Sequence, residues 1–493
     1  MGDIRNLNLA QGNLESTKPS RRIASLDFQR GIAIWLMTFL HAFEHVYDYN
    51  WVKNNPKVIL NLPKIALLIG LIVGFFASWN AYFLLISSTV NSLSMTKKAM
   101  TGQDTKKILK KQLITGFSII IIGYLDTCFG YVGYFGTAIR SGDWTNTYPI
   151  RSGFFAMYTL QIIGWCIVIN SLIHFLLMRN EGHERYPRNL LIYLLLALFV
   201  IIMSPFIHNW VDNMPWKLPS YVPPEVGLGD HLKWPSIHFQ TNNASFKSWF
   251  FTLIAGDMEP LFPYLATSFA GSMVGLSLAK PKPNRRIPLV GGIISLLLMA
   301  LGGMFFLLGF MTLGNNRPAL GNFLVMLGGQ LGAIFLLLRL VEFRGKGQEF
   351  ANRRFVKHFR LWGIASLSIY CIAIFELLPR WIMGSIYNLV YSSDANLLGS
   401  SLFGYGEESK ALTVALVVII SFELLVYLWS RVNFKFGFEW LVVRLQSLST
   451  KKYSSRLDVD LVINKMQWEN FKHKAELSDV HITDISHILE TKL

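Results

Sequence analysis

Charged residues are scarce in this sequence, and their scarcity excludes an ordinary soluble domain. Only 15% of the 493 residues are charged, whereas globular chains carry about 25%. Hydrophobic residues make up 52% of the chain, and the mean hydropathy is +0.38. Because the apolar residues are gathered in long runs, the composition predicts a protein that spans a membrane.

Cysteine is scarcer still. The sequence has three cysteines, Cys128, Cys166 and Cys371, which lie far apart and form no CxxC pair. This spacing excludes a disulfide framework and a cysteine-based metal site. We interpret all three as packed thiols in or beside the apolar stretches.

The long apolar runs predict the architecture. A helix needs about 20 apolar residues to cross the hydrocarbon core, and helices satisfy their own backbone hydrogen bonds in lipid. The predicted fold class is all-α: a polytopic integral membrane helix bundle with about ten transmembrane helices. The predicted spans are residues 30–47, 70–95, 111–127, 153–178, 189–207, 260–279, 288–312, 319–341, 361–379 and 411–430.

Basic residues fall in every second connection between these spans, and they set the predicted orientation. The net charge is +16, and the basic connections are residues 97–111, 179–188, 280–286 and 339–360. By the positive-inside rule, these connections and both termini are cytoplasmic. Since no single folded module gathers the charge, we expect it to face anionic lipid, and we expect no nucleic acid partner.

The same reasoning divides the chain. We expect a cytoplasmic N-terminal segment (1–29), a transmembrane domain (30–445) and a cytoplasmic tail (446–493). Within the domain, the outward connection 208–259 is long and rich in proline and tryptophan, which predicts a folded cap. The protein is expected to be multi-pass in a plasma membrane or an endomembrane, with homo-oligomerisation left open.

A cluster of titratable residues ends the first predicted span. His41, Glu44, His45 and Asp48 share one helix face. Ionisable groups at membrane depth usually face a cavity or a partner, and a histidine oriented by a carboxylate suits a general base. We predict that His41, one turn deeper, is the base and His45 the second choice, with Asp48 or Glu44 orienting it. The alternative is a polar patch in the outer headgroup zone.

The sequence from His41 to His45 also matches H-x-x-E-H, the inverted zincin pattern. A zinc site would need a third ligand. Glu259, Glu376 and Glu423 are available, and nothing in the sequence selects one of them. We therefore expect no metal.

Other polar residues allow two interpretations each. Asp27 and Arg30 form either an i,i+3 ion pair or an anion site in which Arg30 meets the phosphates of a nucleotide-like donor. Asp257 and Glu259, ahead of Pro260, either bind a sugar hydroxyl or mark a helix start. Buried polar side chains within spans, such as Gln161, often hold helices together.

Several segments in order resemble the heparan-α-glucosaminide N-acetyltransferase-like family and its bacterial YeiB-like relatives. The resemblance covers about residues 22 to 445. Its motifs are Arg22-Ile-x-Ser25-Leu26-Asp27-x-x-Arg30-Gly31 with Met37 and His41 after it, Asn80 to Leu93, Leu160-Gln161-Ile162-Ile163-Gly164, Asp257-Met258-Glu259-Pro260, Ser272 to Leu278, Ser366-Leu367-Ser368-Ile369-Tyr370, and Phe436-Gly437-Phe438-Glu439-Trp440-Leu441.

The resemblance implies a transmembrane acyltransferase that takes acyl-CoA, acetyl-CoA above all, from the cytoplasm. The acceptor would be an amine or hydroxyl of a sugar or a lipid-linked molecule on the far side. It implies donor contacts at Asp27, Arg30, Asn80 and Gln161. In the lysosomal branch, Asn stands where this chain has His41, and the catalytic His lies further along.

Two other functions remain open at this point. A transporter or flippase for a small or lipid-linked solute would use the same buried polar residues as a translocation path. A non-catalytic scaffold would use the cap and the tail to bind partners. A specific site for coenzyme A separates the acyltransferase from both.

Overall fold

A computed structural model of the chain describes residues 21–48, 64, 80–147, 149–150, 157–214, 245–256, 259–280, 282–308, 317–392, 396–450 and 457–472. Within these ranges the regular elements are helices, without a β-strand. The α-helices, numbered α1 to α16, are Ala24–Glu44, Asn80–Met100, Thr105–Phe129, Tyr134–Ser141, Thr159–Met178, Tyr186–Asp212, Phe246–Ala255, Leu261–Ala279, Ile287–Leu307, Leu320–Leu340, Gly347–Asn352, Arg354–Ile364, Ser366–Cys371, Leu377–Tyr391, Glu408–Ser430 and Phe438–Thr450.

Seven helical segments of this part of the chain are long and apolar enough to cross a membrane. This finding confirms an all-α, multi-pass membrane protein. The segments are Thr105–Ser141, Thr159–Met178, Tyr186–Asp212, Leu261–Ala279, Ile287–Phe305, Leu320–Leu340 and Glu408–Ser430.

The two polar helices α1 and α2 lie inside the bundle. Helix α1 packs against α12 and α15, and α2 packs against α8. A side chain at Gly31 would collide with the backbone carbonyl of Phe359, so the α1–α12 crossing requires glycine there. Protein neighbours therefore surround polar residues that lipid would not accept. Helix α1 begins six residues earlier than the predicted span, so Asp27 and Arg30 lie within it.

The basic connections gather at one end of the bundle, here called the basic end. The tail segment 457–472 joins them: Glu469 binds Lys97 at 2.5 Å, its N–H donates to the carbonyl of Arg22 at 2.8 Å, and Phe471 donates to Glu342 at 3.2 Å. The predicted tail 446–493 is thus not separate from the bundle where it is described. Helix α16 also runs across its predicted boundary.

The other end of the bundle, here called the opposite end, is built from the end of α1 and the connection before α15. The hydroxyl of Tyr47 donates to Glu408 at 2.8 Å, and the N–H of Asp48 donates to the carbonyl of Phe403 at 2.8 Å. Arg140, in α4, donates to Ser400 at 2.7 Å. Helix α1 therefore runs from the basic end to the opposite end.

The prediction of one continuous helix over residues 361–379 is wrong. The chain does pass from one end to the other there, but as α12, α13, a 3₁₀ turn (Ala373–Glu376) and α14, with breaks at Ala365 and Ile372. The first break frees backbone N–H groups, and Glu439 accepts those of Leu367 at 2.5 Å and Ser368 at 3.2 Å. A distant carboxylate thus caps α13, which a local sequence pattern does not reveal.

The N-terminus of α1 is capped in the same manner. Glu342, just after α10, accepts the N–H of Ser25 at 2.9 Å and its hydroxyl proton at 2.7 Å. The carboxylate satisfies one of the unpaired helix-terminal donors. Burial raises the pKa of the Glu342 carboxyl to about 7, against the lowering effect of the hydrogen bonds from Ser25.

We expect Glu342 to make the folded protein less stable as the pH rises. Its carboxyl has an ordinary pKa of 4.5 when unfolded, so between about pH 4.5 and 7 the folded state holds the additional proton. The stabilisation is complete below pH 4.5 and is lost as the pH rises through 7. Its size is on the order of 3 kcal/mol, at about 1.4 kcal/mol per pKa unit.

Melting temperatures of the purified protein at pH 5 and pH 8 test this prediction. In Glu342→Gln, the melting temperature should fall less between pH 5 and pH 8 than it does in the wild type. Glu349→Gln, at an exposed carboxylate that pairs with Arg353 at 2.7 Å, should leave the fall as in the wild type. An equally steep fall in Glu342→Gln would show that another group causes it.

Candidate functional site

An interior cavity of about 170 Å³ begins at the basic end. Arg22, Arg30, Glu439 and Leu457 line its entrance side. Its walls are mainly apolar and come from α1, α2, α3, α5, α13 and α16. Its lining extends to Thr159 at the start of α5, and Tyr370 also borders it. The cavity therefore has a polar entrance, apolar walls and a second polar limit.

Arg30 is the charged group at the entrance whose bonds are incomplete. Its Nη2 lies 3.9 Å from Asp27 Oδ1, which is too long for a hydrogen bond. Asp27 is held more closely by Arg22, with Nη1 to Oδ2 at 3.3 Å. Arg30 Nε is buried without a hydrogen-bond partner. Asp27 and Arg30 therefore form the predicted i,i+3 ion pair, and Arg30 Nε is left as a donor for an anion in the cavity.

Two motifs that are far apart in sequence meet at this cavity. Glu439 and Ser368 hydrogen bond to each other, and Ser368 Oγ accepts the N–H of Phe438 at 2.7 Å. The contact caps α13 and α16 at once. It joins the segments Ser366 to Tyr370 and Phe436 to Leu441, which form one structural unit.

The predicted histidine cluster lies at the opposite end. Within it, His45 is held by the closest contacts. His45 Nδ1 lies 2.9 and 3.0 Å from the two carboxylate oxygens of Glu376. Arg380 donates to Glu376 at 2.9 Å and to the hydroxyl of Tyr131 at 2.9 Å. The Tyr131 ring stacks on the His45 imidazole, with centroids 3.7 Å apart. The ring orientation is thus fixed by Glu376 and Tyr131, and Arg380 holds both of them in place.

His41 is held more loosely. Its Nδ1 lies 3.2 Å from Glu44, and the side chains of His41 and Glu44 are 42% and 38% exposed. The side chains of His45 and Glu376 are 20% and 4% exposed. Protein neighbours therefore enclose His45 more than His41, although His41 lies one turn deeper along α1. Burial here follows the packing of Glu376, Arg380 and Tyr131 around His45, and not the position along α1.

The face of α1 that lines the cavity leads to both histidines. Arg30 and Ile34 border the cavity. Steps of three or four residues continue this face through Met37 and His41 to His45. The rise from Arg30 to His45 is about 22 Å at 1.5 Å per residue. One helix face therefore joins the basic end to the histidine cluster.

The predicted substrate residue Glu259 lies beside Thr159, where the cavity ends. It accepts a hydrogen bond from Thr159 Oγ1 at 3.2 Å, and its N–H donates to the carbonyl of Met157 at 3.1 Å. Gln161, one of the predicted donor contacts, is fully buried in the same helix start. Asp257 lies outside the described residues. For Asn80, the structure gives only its place as the first residue of α2.

The zinc interpretation gains no support. In the part of the chain that the structure describes, no group of three histidine, cysteine, aspartate or glutamate side chains is arranged to hold a metal ion. Glu423, one proposed third ligand, instead accepts from Trp35 at 2.7 Å and Trp362 at 3.1 Å near the basic end. His358 Nε2 lies 3.1 Å from the same carboxylate.

Sequence reasoning missed two residues of the site. It considered Glu376 only as one possible zinc ligand, although the E-x-x-x-R spacing of Glu376 and Arg380 indicates an ion pair on one helix face. It also passed over Asp126, near the end of a long apolar run. An aspartate at that depth is a signal that the sequence does provide.

Comparisons with known proteins add no assignment, since the chain matches no protein-family model and no curated protein.

Proposed function

We propose that this chain is a membrane-embedded acyltransferase. It would move an acyl group, acetyl above all, from acyl-CoA at the basic end to an amine or hydroxyl acceptor at the opposite end. The observation that carries the proposal is the cavity lined by Arg30 at its entrance, on the helix face that continues to His45. The resemblance to the N-acetyltransferase-like family agrees with this assignment.

The donor side follows from charge and polarity. The phosphates of coenzyme A are anions, and an arginine with free donors in a partly enclosed site binds them strongly. Apolar walls suit the pantetheine arm and the acyl chain. By the positive-inside rule this end would face the cytoplasm, from which the acyl-CoA donor is expected to come. An extended pantetheine arm would carry the thioester toward the histidine cluster.

The chemistry would use His45 as the base. The Nδ1–H donates to Glu376, so the neutral ring presents a lone pair on Nε2. Nε2 would take the proton of the acceptor as its nitrogen or oxygen attacks the thioester carbonyl. The C–S bond breaks, the new C–N or C–O bond forms, and the proton passes to the leaving thiolate. Glu376 would stabilise the transient imidazolium.

Acyl transfer by the purified protein tests this proposal. Acetyl-CoA labelled in the acetyl group is offered with glucosamine or a long-chain alkyl glucoside. We expect label on the acceptor and an equal amount of free coenzyme A thiol. If the protein releases no thiol with either acceptor but carries the sugar across a proteoliposome membrane, the transporter replaces the acyltransferase.

A further inference from the structure

A second set of polar groups lies between the cavity and the histidine cluster. Its members are Asp126, Thr159, Gln161, Glu259 and Tyr370, here called the outer polar pocket. Thr159 donates its proton to Glu259 at 3.2 Å. Tyr370 lines the cavity beside Thr159 and lies near Asp126 and Glu259.

Two members of the pocket lack the partners that buried polar groups normally have. Gln161 is 0% exposed, and neither its Nε2 nor its Oε1 has a hydrogen-bond partner. Asp126 Oδ1 is also buried without one. Each such atom destabilises the folded state, and a bound ligand that supplies the missing hydrogen bonds is one explanation.

The two unsatisfied groups lie along one face of α3, with Asp126 Oδ1 against Gly130 just after its end. The Gln161 amide lies against Gly123, since a Cβ there would come within 3.0 Å of Gln161 Cδ. Asp126 follows Gly123 by three residues, so it lies on the same face of α3. A side chain larger than that of glycine at position 123 would therefore press on the Gln161 amide.

Two separate elements place the pocket between the cavity and His45. Along α3 and its extension, Ile119 lines the cavity, Asp126 belongs to the pocket and Tyr131 stacks on His45. Along the broken segment, Leu367 lines the cavity. Tyr370 then reaches the pocket, and Glu376 binds His45. A molecule in the pocket would therefore lie between a donor in the cavity and the base.

We propose that the outer polar pocket binds the acceptor, and that Asp126 and Gln161 are its main contacts. This inference rests on the proposed acyltransferase function. Carboxylate oxygens and Gln161 Oε1 accept hydrogen bonds, and Gln161 Nε2 donates one. The matching ligand presents several adjacent hydroxyl or amine groups, as a hexose or hexosamine headgroup does. Gln161, which the resemblance places at the acyl-CoA, would thereby contact the molecule that receives the acyl group.

The stability of variants without ligand is the first test. Gln161→Met removes two unsatisfied polar atoms at similar volume, so we expect an unchanged or higher melting temperature. Gln29→Met should lower it, because Gln29 donates to the carbonyl of Ser25 at 3.1 Å and accepts from Tyr82. If Gln161→Met lowers the melting temperature as much as Gln29→Met does, Gln161 is a structural residue and the proposal is overturned.

Ligand stabilisation is the second test, with glucosamine and glucose as probes. We expect at least one sugar to raise the melting temperature of the wild type by about 2 °C or more. Gln161→Met and Asp126→Asn should each abolish the shift. Gln330→Met should keep it, because Gln330 is likewise buried with an unsatisfied amide but lies in α10, outside the outer polar pocket.

The two tests separate this proposal from the acyltransferase function, since neither needs acyl-CoA. Equal stabilisation of the wild type and both pocket variants, or no stabilisation by either sugar, would overturn the acceptor pocket. Sugar binding that depends on Gln161, in a protein that transfers no acyl group, would keep the pocket and remove the acyltransferase.

Discussion

Replacing His45 by alanine should lower acyl transfer by at least about a hundredfold, because general-base catalysis contributes roughly 10²–10⁴-fold. His45 is the histidine whose Nδ1 is held by a buried carboxylate. The measurement is the initial rate with labelled acetyl-CoA at saturating acceptor. Stabilisation of the variant by acetyl-CoA should match that of the wild type, which shows that the donor site is intact.

His41→Ala is the matched control, since both histidines lie on α1 one turn apart and each faces a carboxylate. We expect the rate of acyl transfer by this variant to fall less than about tenfold, because an exposed and loosely held base contributes little. A larger loss in His41→Ala than in His45→Ala would identify His41 as the base. If both variants keep full activity, the histidine cluster is structural.

Replacing Arg30 by alanine should weaken acetyl-CoA binding by about 10–100-fold. Hydrogen bonds to charged groups are worth roughly 1.5–3 kcal/mol, and each 1.4 kcal/mol is tenfold in affinity. The variant should still fold, because Asp27 remains paired with Arg22 at 3.3 Å. The concentration of acetyl-CoA needed for half-maximal thermal stabilisation measures the change.

Lys106→Ala is the control for Arg30→Ala, because Lys106 is an exposed basic residue at the same end. It should change the half-maximal concentration less than about twofold. Equal effects of the two substitutions would mean that acetyl-CoA responds to the general charge of the basic end. The cavity would then not be the donor site.

The sequence predicts the architecture well where one physical cause dominates. Long apolar runs can only be helices in lipid, so α5, α8 and α15 lie close to their predicted spans. The sequence predicts less where a distant partner decides. The breaks at Ala365 and Ile372 depend on Glu439 and on packing, and local hydropathy does not reveal them.

The site shows the same division. The i,i+3 and i,i+4 spacing correctly brings His41, Glu44 and His45 to one helix face. The carboxylate that holds His45 is 331 residues away, so helical spacing cannot identify it. Asn80 and Asp257 stay predictions, since their side chains are outside the described part of the chain.

Transfer across a sealed membrane tests the central claim most directly. Proteoliposomes are prepared with glucosamine trapped inside and labelled acetyl-CoA added outside. Molecules whose basic end faces outward should place label on the internal glucosamine and release free thiol outside, and His45→Ala should do neither. Label that reaches the inside still attached to coenzyme A, or glucosamine that leaves unmodified through the protein, would contradict the account.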